Sequence, residues 1–401
     1  MRTDPEKFVD KVNTYWQTTM KEQKIRPFWE QAAYHIGNLA TAQTFKNTDY
    51  LTFTKEWSEK SQWKGHPKNI DKENWTWGYG EEETDARLFA DWHACFQVYL
   101  TLFEMDEKKH PEWIKQAQEV INYQVSTLDD SYWWWADGLF MGMPVMTKFY
   151  QLTKDVKYLT KMHEYFLFSL ELMYDGENGI PTNENGYTSS AYVGGPYGGK
   201  KATVSNFSNP DNYQHLFYRD ASFAFPANPL PGKWKDEKNF WARGNGWVVA
   251  ALIRVLRELP DNWPHKPFYQ QIFKQMAQAI KECQQVDDAG NGYWTQSLLV
   301  PDFSRSADNT FGYETSGSAF FTFALLAGIN DGLLPADEYQ ETALKGWDYL
   351  SNVALHENGK IGYVQPVGGA AGKAASYENT QDFGVGASLL AACELFKMNK
   401  N

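Results

Sequence analysis

Asp137 follows three tryptophans and opens an apolar run, in the stretch SYWWWADGLFM (131–141). A carboxyl group walled by indole is removed from water, and that favours its protonated form. Such a group can hand a proton to a substrate near neutral pH. Asp91, in FADWHACFQVYL, opens a second apolar run in the same way, with His93 beside it as Trp135 stands beside Asp137. Four more apolar runs begin with polar or aromatic residues: Tyr34 and His35; Trp241, Arg243 and Asn245; Tyr313 and Glu314; Gln381 and Asp382. An aspartate at one helix start is most often an N-cap. Six such starts with aromatic neighbours are more than capping requires.

Carboxyls, arginines and tryptophans together suit a sugar. Indole faces stack on sugar rings, an Asp moves protons, and an Arg fork grips a uronate carboxylate. Arg219 and Arg243 are the cations for that carboxylate in a chain of net charge −12. Other chemistries lack their residues. The eight His are dispersed, so no metal site is expected. There is no phosphate loop, no nucleophile elbow and no dinucleotide fingerprint, and no cofactor is expected. The Gly-rich GGPYGGKK (194–201) lacks the flanking strand and helix of a phosphate loop. No run of Lys or Arg recommends nucleic acid or an anionic membrane.

The elements that would position these residues are helices. PEKFVDKVNTYWQTTM, PEWIKQAQEVINYQVSTL and KPFYQQIFKQMAQAIKEC carry apolar residues at helical spacing, with charged faces between. DYLTFTKEWSEK, KYLTKMHEYFLFSLEL and DEYQETALKGWDYLS join them as half-wet outer helices. Six other segments are apolar nearly all round: HIGNLATAQTF, DWHACFQVYLTLF, DGLFMGMPVMTKFY, GNGWVVAALIRVL, TSGSAFFTFALLAGI and FGVGASLLAACELF. A helix apolar on every side is buried on every side. The two kinds alternate, six pairs long, which predicts an all-α closed double ring, an (α/α)6 barrel, in a single domain over 1–401. Parallel inner helices then bring the six polar starts to one mouth. A long insert at about 179–239 interrupts the pattern. It is rich in Gly, Ser, Tyr and Asn, and reads as a lid with Tyr187, Tyr192 and Tyr197 as stacking groups.

Three scattered cysteines offer no disulfide framework. No apolar run reaches the roughly 20 residues of a membrane span. The start MRTDPEKFVDKVNTYWQ has no signal-peptide core, which leaves a cytoplasmic chain or the mature form of a periplasmic one.

WWWADGLFMGMPVMTKFYQLTKD (133–155), HLFYRD (215–220), FWARGNGWVVAALIRVLRELP (240–260), YWTQSLL (293–299), YETSGSAFFTFALLAGINDGLL (313–334), GYVQPVG (362–368) and FGVGASLLAACELFKM (383–398) resemble, in order and spacing, glycoside hydrolase family 105. These are the unsaturated rhamnogalacturonyl hydrolases, related to the unsaturated glucuronyl hydrolases of family 88. The resemblance implies an (α/α)6 barrel. It implies Asp137 as the proton-handling residue, Asp91 as the second site aspartate and His215 as a substrate-binding histidine. Trp241, Arg243 and Trp247 would line the sugar pocket, with Trp135 and Met141 of the tryptophan motif, and with Tyr34, His93 and Arg219 at the mouth. Trp92 stands where many relatives carry a further acid.

The implied substrate is an anionic oligosaccharide left by a lyase, ending in a 4,5-unsaturated uronic acid. Protonation at C4 and addition of water at C5 give a hemiketal whose opening releases the sugar. Three alternatives stay open from the residues alone. One is an inverting exo-glycosidase on saturated uronides, with Asp91 or Glu314 as base. Another is a sugar epimerase using His93 and His215. The third is a barrel that binds saccharide without cleaving it.

Overall fold

The computed structural model of the protein describes residues 2–21, 23–66, 72–76, 86–176, 213–224, 229–372 and 374–400. Among them are twelve α-helices: α1 (Pro5–Met20), α2 (Trp29–Phe45), α3 (Thr48–Lys60), α4 (Ala90–Met105), α5 (Lys115–Ser126), α6 (Ala136–Thr153), α7 (Lys157–Met173), α8 (Ala242–Glu258), α9 (Lys266–Glu282), α10 (Thr315–Asn330), α11 (Ala336–Tyr349) and α12 (Asp382–Met398). A short ribbon, β1 (Gln285–Val286) against β2 (Gly292–Tyr293), follows α9.

The even-numbered helices form a closed ring. Each packs on the next, and α12 returns to α2. The odd-numbered helices lie outside: α1 against α2 and α12, α3 against α2 and α4, α7 against α6, α9 against α8 and α10, α11 against α10. This is the expected (α/α)6 barrel. The alternation in the sequence has its cause here. Every residue of α10 from Thr315 to Gly328 is buried. The outer α9 buries one stripe, Tyr269, Ile272, Phe273, Met276, Ala277, Ala279 and Ile280, at helical spacing. Closure depends on small residues. A Cβ on Gly37 of α2 would overlap the backbone of Gly386 on α12, and one on Gly386 would overlap the carbonyl of Ala33. First and last inner helices therefore meet backbone to backbone, which a side chain at either glycine would prevent.

The helix starts explain the sequence pattern at the mouth. Two outer helices, α1 and α3, use side-chain caps: Asp4 accepts from the Lys7 amide and Asn47 from those of Asp49 and Tyr50. Most inner helices instead begin at an aromatic residue whose side chain caps nothing: Phe28, Phe89, Trp135 and Trp241. Neighbouring extended segments take the exposed amides. Ala136 N donates to the Arg219 carbonyl (2.8 Å), Ala242 N to that of Gln296 (2.8 Å) and Thr315 N to that of Tyr363 (3.0 Å). At the opposite end, Lys148 bridges Glu104 and Glu258, and Arg257 bridges Asp331 and Glu394. Cations near helix C-termini are favoured by the macrodipole.

Of the expected insert, 213–224 and 229–239 fall among the described residues. The first piece is no free loop. Phe217 bridges Tyr174, and Asp220 bridges Trp135. The Asn245 side chain extends the pairing, its Oδ1 accepting from Phe217 N (2.7 Å) and its Nδ2 donating to Phe217 O (2.9 Å). Tyr187, Tyr192 and Tyr197, read as stacking groups of a lid, lie outside the described residues. Among the described residues no helix is long and apolar enough to cross a membrane.

Candidate active site

Asp91 and Asp137 are both the second residue of their inner helices, α4 and α6. Neither is an N-cap, since Phe89 and Trp135 hold those positions. The same place is taken by Glu30 in α2, Arg243 in α8, Ser316 in α10 and Phe383 in α12. One turn of the ring therefore reads Glu30, Asp91, Asp137, Arg243, Ser316, Phe383, and its first half is acidic. Glu30 was missed from sequence because the run HIGNLATAQTF places the start of α2 at His35, whereas the helix begins at Trp29. Pro27, in RPFWE, is the signal that marks the true start.

Crowding and burial set the protonation of these acids. Burial pushes Asp91 well above the usual carboxylate range, and the charges of Asp137 and Glu30 push it further. Burial also raises Asp137, against the pull of the Arg219 and Arg243 guanidinium groups. Glu30 is raised by burial, with Arg26 opposing. Asp382, the first residue of α12, rises to about 7 through burial and the charge of Glu30. The mouth therefore carries less negative charge than its formula suggests. Oδ2 of Asp137 is buried and has no hydrogen-bond partner among the described residues.

Asp382 supplies a prediction about stability. Its carboxyl binds a proton more tightly in the folded barrel than in the unfolded chain. That stabilisation is whole below 3.8 and is lost as pH rises through about 7. Asp382→Asn is therefore expected to leave Tm unchanged at the acid end, to raise it increasingly across that window, and to hold the gain above it. Thermal melts over the window check this. A gain that does not grow with pH would remove Asp382 from the set of buried protonated acids.

The two arginines have different duties. Arg243 is buried, and its fork is spent on the chain itself: Nη1 donates to the Gln365 carbonyl (2.7 Å) and Ser316 Oγ (3.4 Å), Nη2 to the carbonyls of Pro366 (3.0 Å) and Gly368 (3.3 Å). It lies between the Trp241 and Phe383 rings, at 4.5 and 4.7 Å. The expectation that it grips the substrate carboxylate is corrected on this ground. It anchors the 365–368 loop and lends its charge to Asp137. Arg219 pairs with Asp220 and lies over Trp134 at 5.5 Å. It is half-buried, and its charge reaches both Asp91 and Asp137. Glu314 is fully buried and accepts from the amides of Ser316 (3.0 Å), Gly317 (2.7 Å) and Gln365 (3.1 Å) and from Ser316 Oγ (2.6 Å). It is a satisfied N-cap of α10, not a catalytic base.

Several expected sugar contacts are turned elsewhere. Trp135, Trp241 and Trp247 each expose 2% or less, so none offers a ring face to a sugar. Trp135 stacks on Phe89, the Trp241 indole donates to Gln365 Oε1 (2.8 Å), and Trp247 packs among Trp29, Phe140, Phe320 and Phe383. Met141 is buried too. Tyr34 points outward to α1, where its hydroxyl meets Asn13 (2.9 Å) and Gln17 (3.1 Å). Trp29, partly exposed and stacked on Phe383, is the indole that sequence reasoning missed at the mouth.

The histidines are also apart. His93 is fully buried, bonded to the Arg87 carbonyl (2.9 Å), and pushed down to about 4 by burial, so it is neutral. His215 meets Tyr174 (3.2 Å) and borders a cavity of about 720 Å³ between the 213–216 segment and α9. None of Asp91, Asp137, Arg219 or Arg243 borders that cavity. The paired bases that an epimerase needs are not brought together.

An all-helical double ring with carboxyls of raised pKa and arginine charge at one mouth is the build of a saccharide-cleaving barrel, a glycoside hydrolase. The chain belongs to Glycosyl Hydrolase Family 88, whose model matches residues 4–194 and 199–399. It is 34% identical over 389 residues to the "Unsaturated 3S-rhamnoglycuronyl hydrolase" of Formosa agariphila, covering 93% of this chain and 85% of that protein. A solved structure described as a glycosyl hydrolase family 88 protein from Bacteroides vulgatus is 36% identical, with TM-score 0.80 over 98% of this chain and 99% of that one. Another, described as a polysaccharide lyase, is 39% identical with TM-score 0.80, over 99% of this chain and 98% of that one. Solved chains described as family 105 members share the fold.

Proposed function

We propose that the mouth of the barrel hydrates the C4=C5 bond of a non-reducing terminal unsaturated uronate, with Asp137 as proton donor. The chain is a glycoside hydrolase of the unsaturated uronyl type, acting on lyase-generated oligosaccharides. The observation that carries the residue assignment is Asp137 itself: a carboxyl at an inner-helix start whose protonated form burial favours, with one oxygen unpartnered and two arginine charges near it.

The step balances with one carboxyl group. Asp137 gives its proton to C4, and positive charge develops at C5 and the ring oxygen. Water adds at C5 and returns a proton to the Asp137 carboxylate. The hemiketal opens to a ketone at C5, which leaves a hemiacetal at C1 that collapses and releases the next sugar. No attack at the anomeric carbon is needed, so no second carboxylate at the spacing of an inverting glycosidase is needed either. Burial and the charges of Asp137 and Glu30 favour the neutral form of Asp91, which can donate a hydrogen bond where an ionised neighbour would repel the uronate. Arg219 is the cation assigned to the substrate carboxylate, because its charge reaches both aspartates while Arg243 is committed to the loop.

Two relatives carry the name "Unsaturated 3S-rhamnoglycuronyl hydrolase". An unsaturated uronate linked to rhamnose is therefore the first substrate to try. The test is the sign of an absorbance change. Hydration removes the conjugated double bond, so ultraviolet absorbance is expected to fall as the next sugar is released. A lyase would create that bond and raise the absorbance on an intact polymer. A rise, or release of sugar from a saturated uronide with no spectral change, would overturn the proposal.

A further inference from the structure

Helix α6 carries Asp137 in its first turn and a proline, Pro144, in its interior. Proline has no N–H, so the carbonyl four residues earlier, that of Phe140, loses its helical partner. A buried carbonyl left so costs free energy. Gln97 of α4 fills the gap. Its Nε2 donates to the Phe140 carbonyl at 2.7 Å and to the Met141 carbonyl at 3.1 Å. Gln97 is itself held from the other side, since Arg254 of α8 donates from Nη1 to its Oε1 at 2.6 Å. The Arg254 guanidinium also lies over the Phe140 ring at 5.1 Å. Three consecutive inner helices are thus tied at the barrel axis through one amide.

Phe140 and Met141 stand about one turn beyond Asp137. The carbonyls that Gln97 holds point toward the C-terminus of α6 and belong to the next turn, so Gln97 braces the turn on which the carboxyl-bearing turn rests. Trp133 grips the same stretch from outside, since a Cβ on Gly142 would overlap its indole. Pro144 leaves α6 one hydrogen bond short at this point, and the Gln97 amide supplies the replacement from α4. We infer that Gln97, clamped by Arg254, is the positioning residue that aims Asp137 into the mouth. The inference rests on Asp137 being the proton donor. Neither Gln97 nor Arg254 touches substrate in this scheme.

The experiment is a double-mutant cycle with Gln97→Leu and Pro144→Ala, read as kcat, KM and the pH dependence of kcat. Gln97→Leu is expected to lower kcat about 10- to 100-fold, the cost of a small misplacement of a reacting group, with KM little changed and the alkaline limb of kcat displaced. Pro144→Ala restores an N–H to the Phe140 carbonyl and makes the Gln97 donor redundant there. In that background Gln97→Leu is expected to cost markedly less. Losses that multiply independently would overturn the inference, and so would a Gln97→Leu protein with parental kcat and pH profile and only a lower Tm. Should Gln97→Leu not fold, Arg254→Met frees the amide while leaving its bonds to the α6 carbonyls possible, and removes the cation over the Phe140 ring. It is expected to lower kcat at constant KM, and a parental kcat there would also overturn the inference. Asp137→Asn run alongside separates the two levels: a fully active Asp137→Asn removes the proton-donor reading, whatever the cycle gives.

Discussion

Asp137→Asn is expected to lower kcat by about 10²–10⁴-fold, the usual contribution of a positioned proton donor, with fold and sugar binding retained. The amide matches the carboxyl in size and remains neutral. Burial already favours the neutral form of Asp137, so the substitution removes the transferable proton without adding a charge or a void. Binding of an unsaturated disaccharide, followed by calorimetry, is expected to stay near parental while ultraviolet absorbance no longer falls. The parent enzyme has a matching signature in pH. Its donor works protonated, so activity is present below the raised pKa of Asp137 and is lost as pH rises through it. An Asp137→Asn protein that turns over at the parental rate would place the proton elsewhere in the mouth.

The barrel was legible because burial leaves a direct mark on composition. α10 and α12 must be apolar on all sides, and TSGSAFFTFALLAGI and FGVGASLLAACELF are. Asp137 and Asp91 were legible for a related reason, as charges at the edge of runs that otherwise exclude charge. What failed was direction. Tyr34 stands on a helix buried all round, and nothing in its neighbours says that it faces α1 rather than the axis. That depends on how outer and inner rings are set, which places Asn13 and Gln17 at its hydroxyl. The tryptophans failed likewise. Composition counts indoles, but Trp247 fills the axis among other rings while Trp29 keeps a face at the mouth. Glu314 and Asp137 look alike in sequence. Glu314 has its oxygens filled by the first-turn amides of its own helix and the Gln365 amide, whereas Asp137 sits two places further in, where the Arg219 carbonyl has taken the Ala136 amide and one carboxyl oxygen is left without a partner.

Arg243→Met is expected to act on stability and on pH together, and the pairing tells its role from that of a substrate ligand. Methionine keeps much of the apolar stem between Trp241 and Phe383 but donates nothing. The carbonyls of Gln365, Pro366 and Gly368 then lose their donors. Each buried acceptor left unmade costs about 1–3 kcal/mol, and loop carbonyls that turn to water recover part of it, so a loss of about 3–5 kcal/mol is expected in denaturant unfolding. The second effect is on Asp137. Arg243 pulls its pKa down against burial. With that charge removed the carboxyl holds its proton to higher pH, and the alkaline limb of kcat/KM is expected to move upward. A ligand for the uronate carboxylate would behave otherwise, raising KM strongly with stability and pH limb in place. Arg219→Met is the contrast, because Arg219 acts on Asp137 too but is assigned to the substrate: the limb should move the same way, now with a raised KM. If Arg243→Met raised KM while unfolding and the pH profile stayed parental, the guanidinium would have to be leaving the loop to meet substrate, and the duties given to the two arginines would be exchanged.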